Sequence, residues 1–130
     1  MVASLPPPIH QAVSSRLTRA AIFLVVAIDP GPGPEQTVRG LCGDLSSLLR
    51  GVGFRNLGGQ LSCIMGFGSQ AWDRLFGGAR PKELHPFRAI DGVHRAVSTP
   101  GDILFHIRAA SMDLCFELAT HLMARLSGSV

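Results

Sequence analysis

The sequence predicts an α+β fold: an antiparallel sheet with helices on one of its faces. Three stretches carry that prediction. Ala20 to Ile28 is a continuously apolar run, rich in β-branched residues and free of charge, as a strand buried on both faces would be. Glu35 to about Val52 places Val38, Leu41, Cys42, Leu45, Leu48, Leu49 and Val52 at three- and four-residue spacing, the period of an amphipathic helix. Thr99 to Arg125 contains a turn, a strand and a helix in succession. Pro100-Gly101 marks the turn. Ile103, Phe105, Ile107 and Ala109 then alternate with Leu104, His106 and Arg108, the period of two of a strand with one well-buried face. From Met112 onward, Leu114, Cys115, Leu118, Ala119, Leu122 and Leu126 form an apolar stripe, with Asp113, Glu117, Thr120, His121 and Arg125 opposite it. Ser111 stands where an N-cap is expected, and Asp113 complements the positive end of the helix dipole.

The remaining segments fall between these. Met1 to about Leu17 holds Pro6-Pro7-Pro8 and no apolar period, so it reads as a flexible arm before a domain spanning residues 18–130. Asp29-Pro30-Gly31-Pro32-Gly33-Pro34 reads as a loop. It is a poor phosphate cradle, because proline removes the backbone N–H groups that would bind the anion. Gly40 and Gly43 each weaken the first helix by about 1 kcal/mol, and their small size suggests a close approach of that helix to the sheet. Gly51 and Gly53 mark its end, and Gly58-Gly59 is a turn. Gln60 to Phe67 is a second strand with Leu61, Cys63, Met65 and Phe67 on one face. Ser69 is expected to cap a short helix over Gln70 to Phe76. Ala79 to Ser98 is a long connection. The resulting order is β-α-β-(short helix and loop)-β-α, one strand short of a β-α-β-β-α-β ferredoxin-like unit.

Composition narrows the function classes. The chain has 130 residues, 46% hydrophobic and 16% charged, the balance of a single globular domain. Mean hydropathy is +0.28, high for a soluble domain, as when part of the apolar surface belongs against a partner. Net charge is +3. The basic residues are scattered and almost all Arg, with Lys82 the only Lys, which does not form a nucleic-acid groove. Cys42, Cys63 and Cys115 lack disulfide or zinc spacing and fall on apolar faces, as buried thiols in a reducing compartment would. Ala20 to Ile28 is too short to span a bilayer, and Asp29-Pro30 stands where a signal peptide needs small residues. The expectation is a cytoplasmic protein without membrane or nucleic-acid partners.

Several residues invite a chemical role. Gly66-Phe67-Gly68-Ser69-Gln70-Ala71 fits G-x-G-x-x-G/A, and Asp91 falls twenty residues after Ala71. That pattern can hold a dinucleotide, but here the helix is short and Pro81 and Pro86 interrupt the path to a parallel strand. The bland alternative is a tight turn from strand to helix. His106 could ligate a metal or haem, yet its alternation with Leu104 and Arg108 favours a packed or hydrogen-bonded imidazole. His10, His85, His94 and His121 show no ligand spacing with it. Trp72 reads as packing and Asp102 as a turn-stabilising carboxylate.

Three motifs carry a family resemblance. Thr99-Pro100-Gly101-Asp102-Ile103-Leu104-Phe105-His106-Ile107-Arg108-Ala109, Ile64-Met65-Gly66-Phe67-Gly68-Ser69-Gln70-Ala71-Trp72-Asp73-Arg74-Leu75-Phe76 and Arg80-Pro81-Lys82-Glu83-Leu84-His85-Pro86-Phe87 resemble the N-terminal half of the Dyp-type (dye-decolourising) haem peroxidases. The resemblance runs from about Ala20 to Val130 and implies two ferredoxin-like units of the dimeric α+β barrel kind, of which this chain holds the first without its last strand. It implies haem b as cofactor, hydrogen peroxide and bulky aromatic donors as substrates, and a homo-oligomer. In that family an Asp within Gly-x-x-Asp-Gly, a later His on the iron and a later Arg carry the chemistry. Here Asp91-Gly92 is preceded by Arg88 where the motif needs Gly. No catalytic, cofactor-binding or metal-binding residue carries over, and the chain by itself is expected to bind no haem and to be inactive. The alternative is a free-standing ferredoxin-like module that dimerises through its sheet and binds a small ligand without catalysis. In either case, an apolar first strand without its second neighbour is a template for pairing with another chain.

Overall fold

The computed structural model describes residues 10–130. The strand over residues 103–109 lies at the centre. It pairs antiparallel on one side with the strand at the start of the chain and on the other with the strand after the first helix, giving a three-stranded sheet in the order β1-β3-β2. The elements in chain order are β1 (Ala20–Val26), α1 (Pro32–Gly53), a 3-10 turn (Leu57–Gly59), β2 (Ser62–Phe67), α2 (Ser69–Leu75), β3 (Ile103–Ala109) and α3 (Met112–Leu126).

The register explains the two faces. Ile22 lies beside Ile107, which lies beside Cys63; Leu24, Phe105 and Met65 align in the same way. Side chains in such rows share a face. This face meets α1 and α3. Phe105, Ile107 and Ala109 are fully buried there, together with Val38 and Leu41 of α1 and Cys115, Leu118, Leu122 and Leu126 of α3. The alternation expected in β3 and the stripe expected in α3 are both present. The other face carries the rows Ala21-Arg108-Ser62, Phe23-His106-Ile64 and Val25-Leu104-Gly66. No helix covers it.

Several expectations need correction. The first strand stops at Val26 and is not buried on both faces: Phe23 is 66% and Val25 57% exposed. Among the described residues it is hydrogen-bonded only to β3, as expected of a first strand without its second neighbour, and one of its faces is open instead of buried. The helix after it begins within the proline run, at Pro32, because proline at the first helical position lacks only an N–H that would be unpaired there anyway. Gly40 and Gly43 do not bring α1 close to the sheet; a Cβ on either would meet open space. Cys42 is exposed, while Cys63 and Cys115 are buried as expected. Gly68, not Ser69, occupies the N-cap of α2. Ser111 is the N-cap residue of α3, yet its hydroxyl makes no capping bond to the backbone. It instead pairs with Asp113, and that hydrogen bond is the leading cause holding the Asp113 carboxyl below its ordinary range.

Residues 10–17 were expected to hang loose, and Met1–Ile9 of that arm lie outside the described residues. Gln11 is anchored at two points: its side-chain amide donates to the Met65 carbonyl at 3.0 Å and accepts from the Met65 N–H at 2.7 Å. It thereby fills a position on the outer edge of β2 that a further strand would take. The carbonyls of Ala12 and Ser15 accept from the Arg108 guanidinium, each at 3.4 Å, so this segment crosses the end of the open sheet face.

Two substitutions separate the buried helix face from the open one. Leu122→Ala should lower the unfolding free energy by about 2–5 kcal/mol. Gly43→Ala should raise it by up to about 1 kcal/mol, since the new methyl group meets nothing and helix propensity improves. Urea melts check both; equal effects would mean that the faces are misassigned.

Candidate functional site

The strand ends converge on Asp102. Its N–H donates to the Val26 carbonyl at 2.9 Å, its carboxylate accepts from the Ile28 N–H at 2.7 Å, and its carbonyl accepts from the Gly68 N–H at 2.8 Å. One residue thus ties the end of β1, the start of β3 and the turn after β2. The role is structural, as the sequence suggested. The glycines around it are required by proximity. A Cβ on Gly68 would stand 2.9 Å from the Gly101 carbonyl oxygen, and one on Gly101 would run into the Val25 side chain.

Beside this knot lies a cleft of about 470 Å³, lined by Ser69, Gln70, His85, Phe87, Thr99 and Asp102 among others. The long connection, with no helix or strand from Phe76 to Asp102 beyond one bridge between Ile90 and Ala96, supplies the outer wall. Ser69 is buried at the cleft floor. His85 is exposed, with Nδ1 3.0 Å from the Pro86 carbonyl oxygen. The lining offers hydroxyls, an amide and one imidazole: groups that orient a ligand by hydrogen bonds rather than a nucleophile activated by a base.

The floor is held rigidly from outside. Arg74 of α2 donates to Glu35 at 2.9 Å and to the carbonyls of Ile28 and Asp29 at 3.0 and 2.7 Å. Arg39 of α1 donates to the carbonyls of Arg74 and Leu75 at the end of α2, where a cation also opposes the helix dipole. Nothing in the sequence spacing distinguishes these two arginines from ordinary surface charge; only the return of α2 against α1 brings them into use.

The other candidates separate. Gly66 to Ala71 is a strand-to-helix turn, and the strand that follows, β3, is antiparallel to β2, whereas the dinucleotide fold needs a parallel crossover. Asp91 pairs with Arg95 at 3.1 Å on the exposed loop. Trp72 packs on Phe76 at 4.8 Å between ring centroids, and Phe76 on Phe67 at 5.1 Å; the buried Trp72 Nε1 has no hydrogen-bond partner among the described residues. His106 lies flat on Phe23, with centroids 4.2 Å apart and planes 14° from parallel. It is a stacked imidazole on the open sheet face. His121 faces Glu117 at 3.9 Å on α3. Among the described residues no group of three or more His, Cys, Asp or Glu side chains could hold a metal ion, and no helix is long and apolar enough to cross a membrane.

The architecture is that of a ferredoxin-like α+β domain with three strands present. The profile described as "Dyp-type peroxidase, N-terminal" matches residues 10–130, and the chain belongs to that family. It is 54% identical over 124 residues to a dye-decolorizing peroxidase of Rhodococcus erythropolis, covering 95% of this chain and 36% of that one. Identity to a dye-decolorizing peroxidase of Mycobacterium tuberculosis is 47% over 128 residues, covering 98% of this chain and 38% of the relative. The chain therefore spans little more than a third of the length of these curated relatives. Among solved structures, the encapsulated DyP-type peroxidase of Mycobacterium smegmatis superimposes with a TM-score of 0.86 at 57% identity, over 92% of this chain and 38% of that one. DypB of Rhodococcus jostii RHA1 gives 0.87 at 43% identity, over 92% and 39%.

The thiols give a pH test of the packing. Burial pushes Cys63 from its ordinary 9.0 up to about 11, so the folded chain favours the protonated thiol. That contribution to stability is intact below pH 9 and lost as pH climbs toward about 11. The native chain should lose more stability than Cys63→Ala across this window in urea melts. Equal losses would mean that Cys63 is solvated.

Proposed function

We propose that this chain supplies the N-terminal ferredoxin-like domain, residues 18–130, of a haem-dependent peroxidase that uses hydrogen peroxide to oxidise bulky aromatic donors. The observation that carries the reading is the match from residue 10 to 130 to the N-terminal part of this peroxidase family, at 57% identity and a TM-score of 0.86 to a DyP-type enzyme. The open sheet face supports it: Phe23, Val25 and Leu104 are an apolar surface suited to cover by further protein.

The residues described here do not fit haem. His106 is engaged face to face with Phe23, and the imidazole lining the cleft, His85, sits against the Pro86 carbonyl. Heme is present in the structure of a DypB variant of Rhodococcus jostii. In the protein to which this chain contributes, haem would be held by residues other than these, and the chain's part is to form the scaffold against which that half packs. Cytoplasmic placement suits its three free thiols.

The test is a chimera in which residues 10–130 replace the matching third of the Rhodococcus erythropolis peroxidase. It should retain haem and peroxide-dependent oxidation of an anthraquinone dye. Alone, the chain should give no one-to-one Soret complex on titration with hemin. A folded chimera without peroxidase activity, or a one-to-one hemin complex of the chain that is lost on His106→Ala, would overturn the reading.

A further inference from the structure

Residues 10–17 lie on the sheet without entering the core. All of them are exposed, and the two larger apolar side chains, Val13 and Leu17, are 67% and 94% exposed. What holds the segment is polar. Gln11 meets Met65 through both polar atoms of one amide, accepting from its N–H at 2.7 Å and donating to its carbonyl at 3.0 Å. The carbonyls of Ala12 and Ser15 take two longer bonds from Arg108, each at 3.4 Å. A tight turn, in which the Val13 N–H donates to the Gln11 carbonyl at 2.9 Å, sets the direction of the chain after Gln11. A segment held by a few exposed hydrogen bonds and hardly any apolar contact belongs to the low-stability end of a structure.

The place of the contact gives it a role. In an antiparallel ladder, residues alternate between exchanging both backbone bonds with their partner and pointing both away from it. Gln11 takes both groups of Met65, so they point away from β3, as do those of Cys63 and Phe67 two residues to either side; Ile64 and Gly66 bond to β3 instead. Gln11 thus occupies the middle of the three positions through which another strand would add to β2. This strand has no charged residue and no proline, so it lacks the usual guards against strand addition. The fourth strand of a ferredoxin-like unit joins the sheet beside β1, and the outer edge of β2 remains an edge in the complete unit.

We propose that residues 10–15 are a strap, latched by Gln11, that opens and closes on β2 while the core stays folded, and that when closed it keeps β2 from pairing with a second copy of this chain. The Gln11 amide suits the task because it is a peptide group carried on a side chain. It satisfies both backbone groups of one edge residue, as a neighbouring strand would, and presents no further edge beyond itself. Opening uncovers the Met65 N–H and carbonyl, and with them an uncharged edge of six residues. It also takes the Ala12 and Ser15 carbonyls away from Arg108, which is 5% exposed. Leaving a buried guanidinium without acceptors is costly, and this favours the closed state. The inference rests on contacts within residues 10–109 and not on the peroxidase reading.

Hydrogen exchange on the 130-residue chain, native and Gln11→Ala, tests this residue by residue. In the native chain the Met65 amide should be protected, and its exchange should be indifferent to low concentrations of urea, as for a local opening; the Ile64 and Gly66 amides should instead follow unfolding of the sheet. That comparison needs no substitution. Gln11→Ala should speed Met65 exchange about ten-fold or more, the net effect of losing the bond, and leave Ile64 and Gly66 unchanged, which also shows that the variant is folded. As the concentration of Gln11→Ala rises, the Cys63 and Phe67 amides should gain protection through pairing of β2 with its counterpart, and those of the native chain should not. A Met65 amide that is unprotected in the native chain, equally protected in Gln11→Ala, or in step with Ile64 and Gly66 in urea would overturn the strap. Protection of Cys63 and Phe67 that grows with concentration in both chains, or in neither, would overturn its role in guarding the edge.

Discussion

The double pairing of β3 is the constraint on which the rest of the structure depends. β1 and β2 are far apart in sequence and do not pair with each other; among the described residues β3 is the strand that pairs with each. Three of its side chains, Phe105, Ile107 and Ala109, are completely buried, and each large one contributes about 1.5–3 kcal/mol by leaving water. Asp102, one residue before β3, sets where both pairings begin. Its backbone and carboxylate hold Val26, Ile28 and Gly68, which aligns the strand ends and seats the cleft beside them.

One face of the sheet is saturated and the other is not. α1 and α3 cover the first face and leave Phe23, Val25 and Leu104 in contact with solvent on the second. Residues 11–15 cover only one end of that face, by way of Arg108. This guanidinium is 5% exposed, and its Nε has no hydrogen-bond partner among the described residues. Among the described residues its partners are two carbonyls at 3.4 Å, and a buried cation with few partners is costly. The same face thus carries exposed apolar side chains and a buried guanidinium bonded to the carbonyls of Ala12 and Ser15.

Much of the fold could be read from the sequence because its signals are local. The bounds of β3 follow from strict alternation after Pro100-Gly101, and the buried face of α3 follows from its leucines. The site was less legible. The role of Asp102 as a turn carboxylate was readable from its position, but its three partners come from three separate segments. Arg39 and Arg74 looked like solvated charge until α2 returned against α1.

The sequence by itself determined the identity and order of the elements, the apolar stripes that make the core, and the motifs of the Dyp-type family, since each depends on residues within a few positions of one another. Only the tertiary structure decided which apolar surfaces are core and which remain open. Ala20–Val26 is apolar throughout, and composition alone favoured a strand buried on both sides. The exposure of Phe23 and Val25 follows from the helices that pack on the sheet lying on its other face. Hydrophobicity states a preference for burial; what is available to cover a surface depends on chain connectivity across the whole domain.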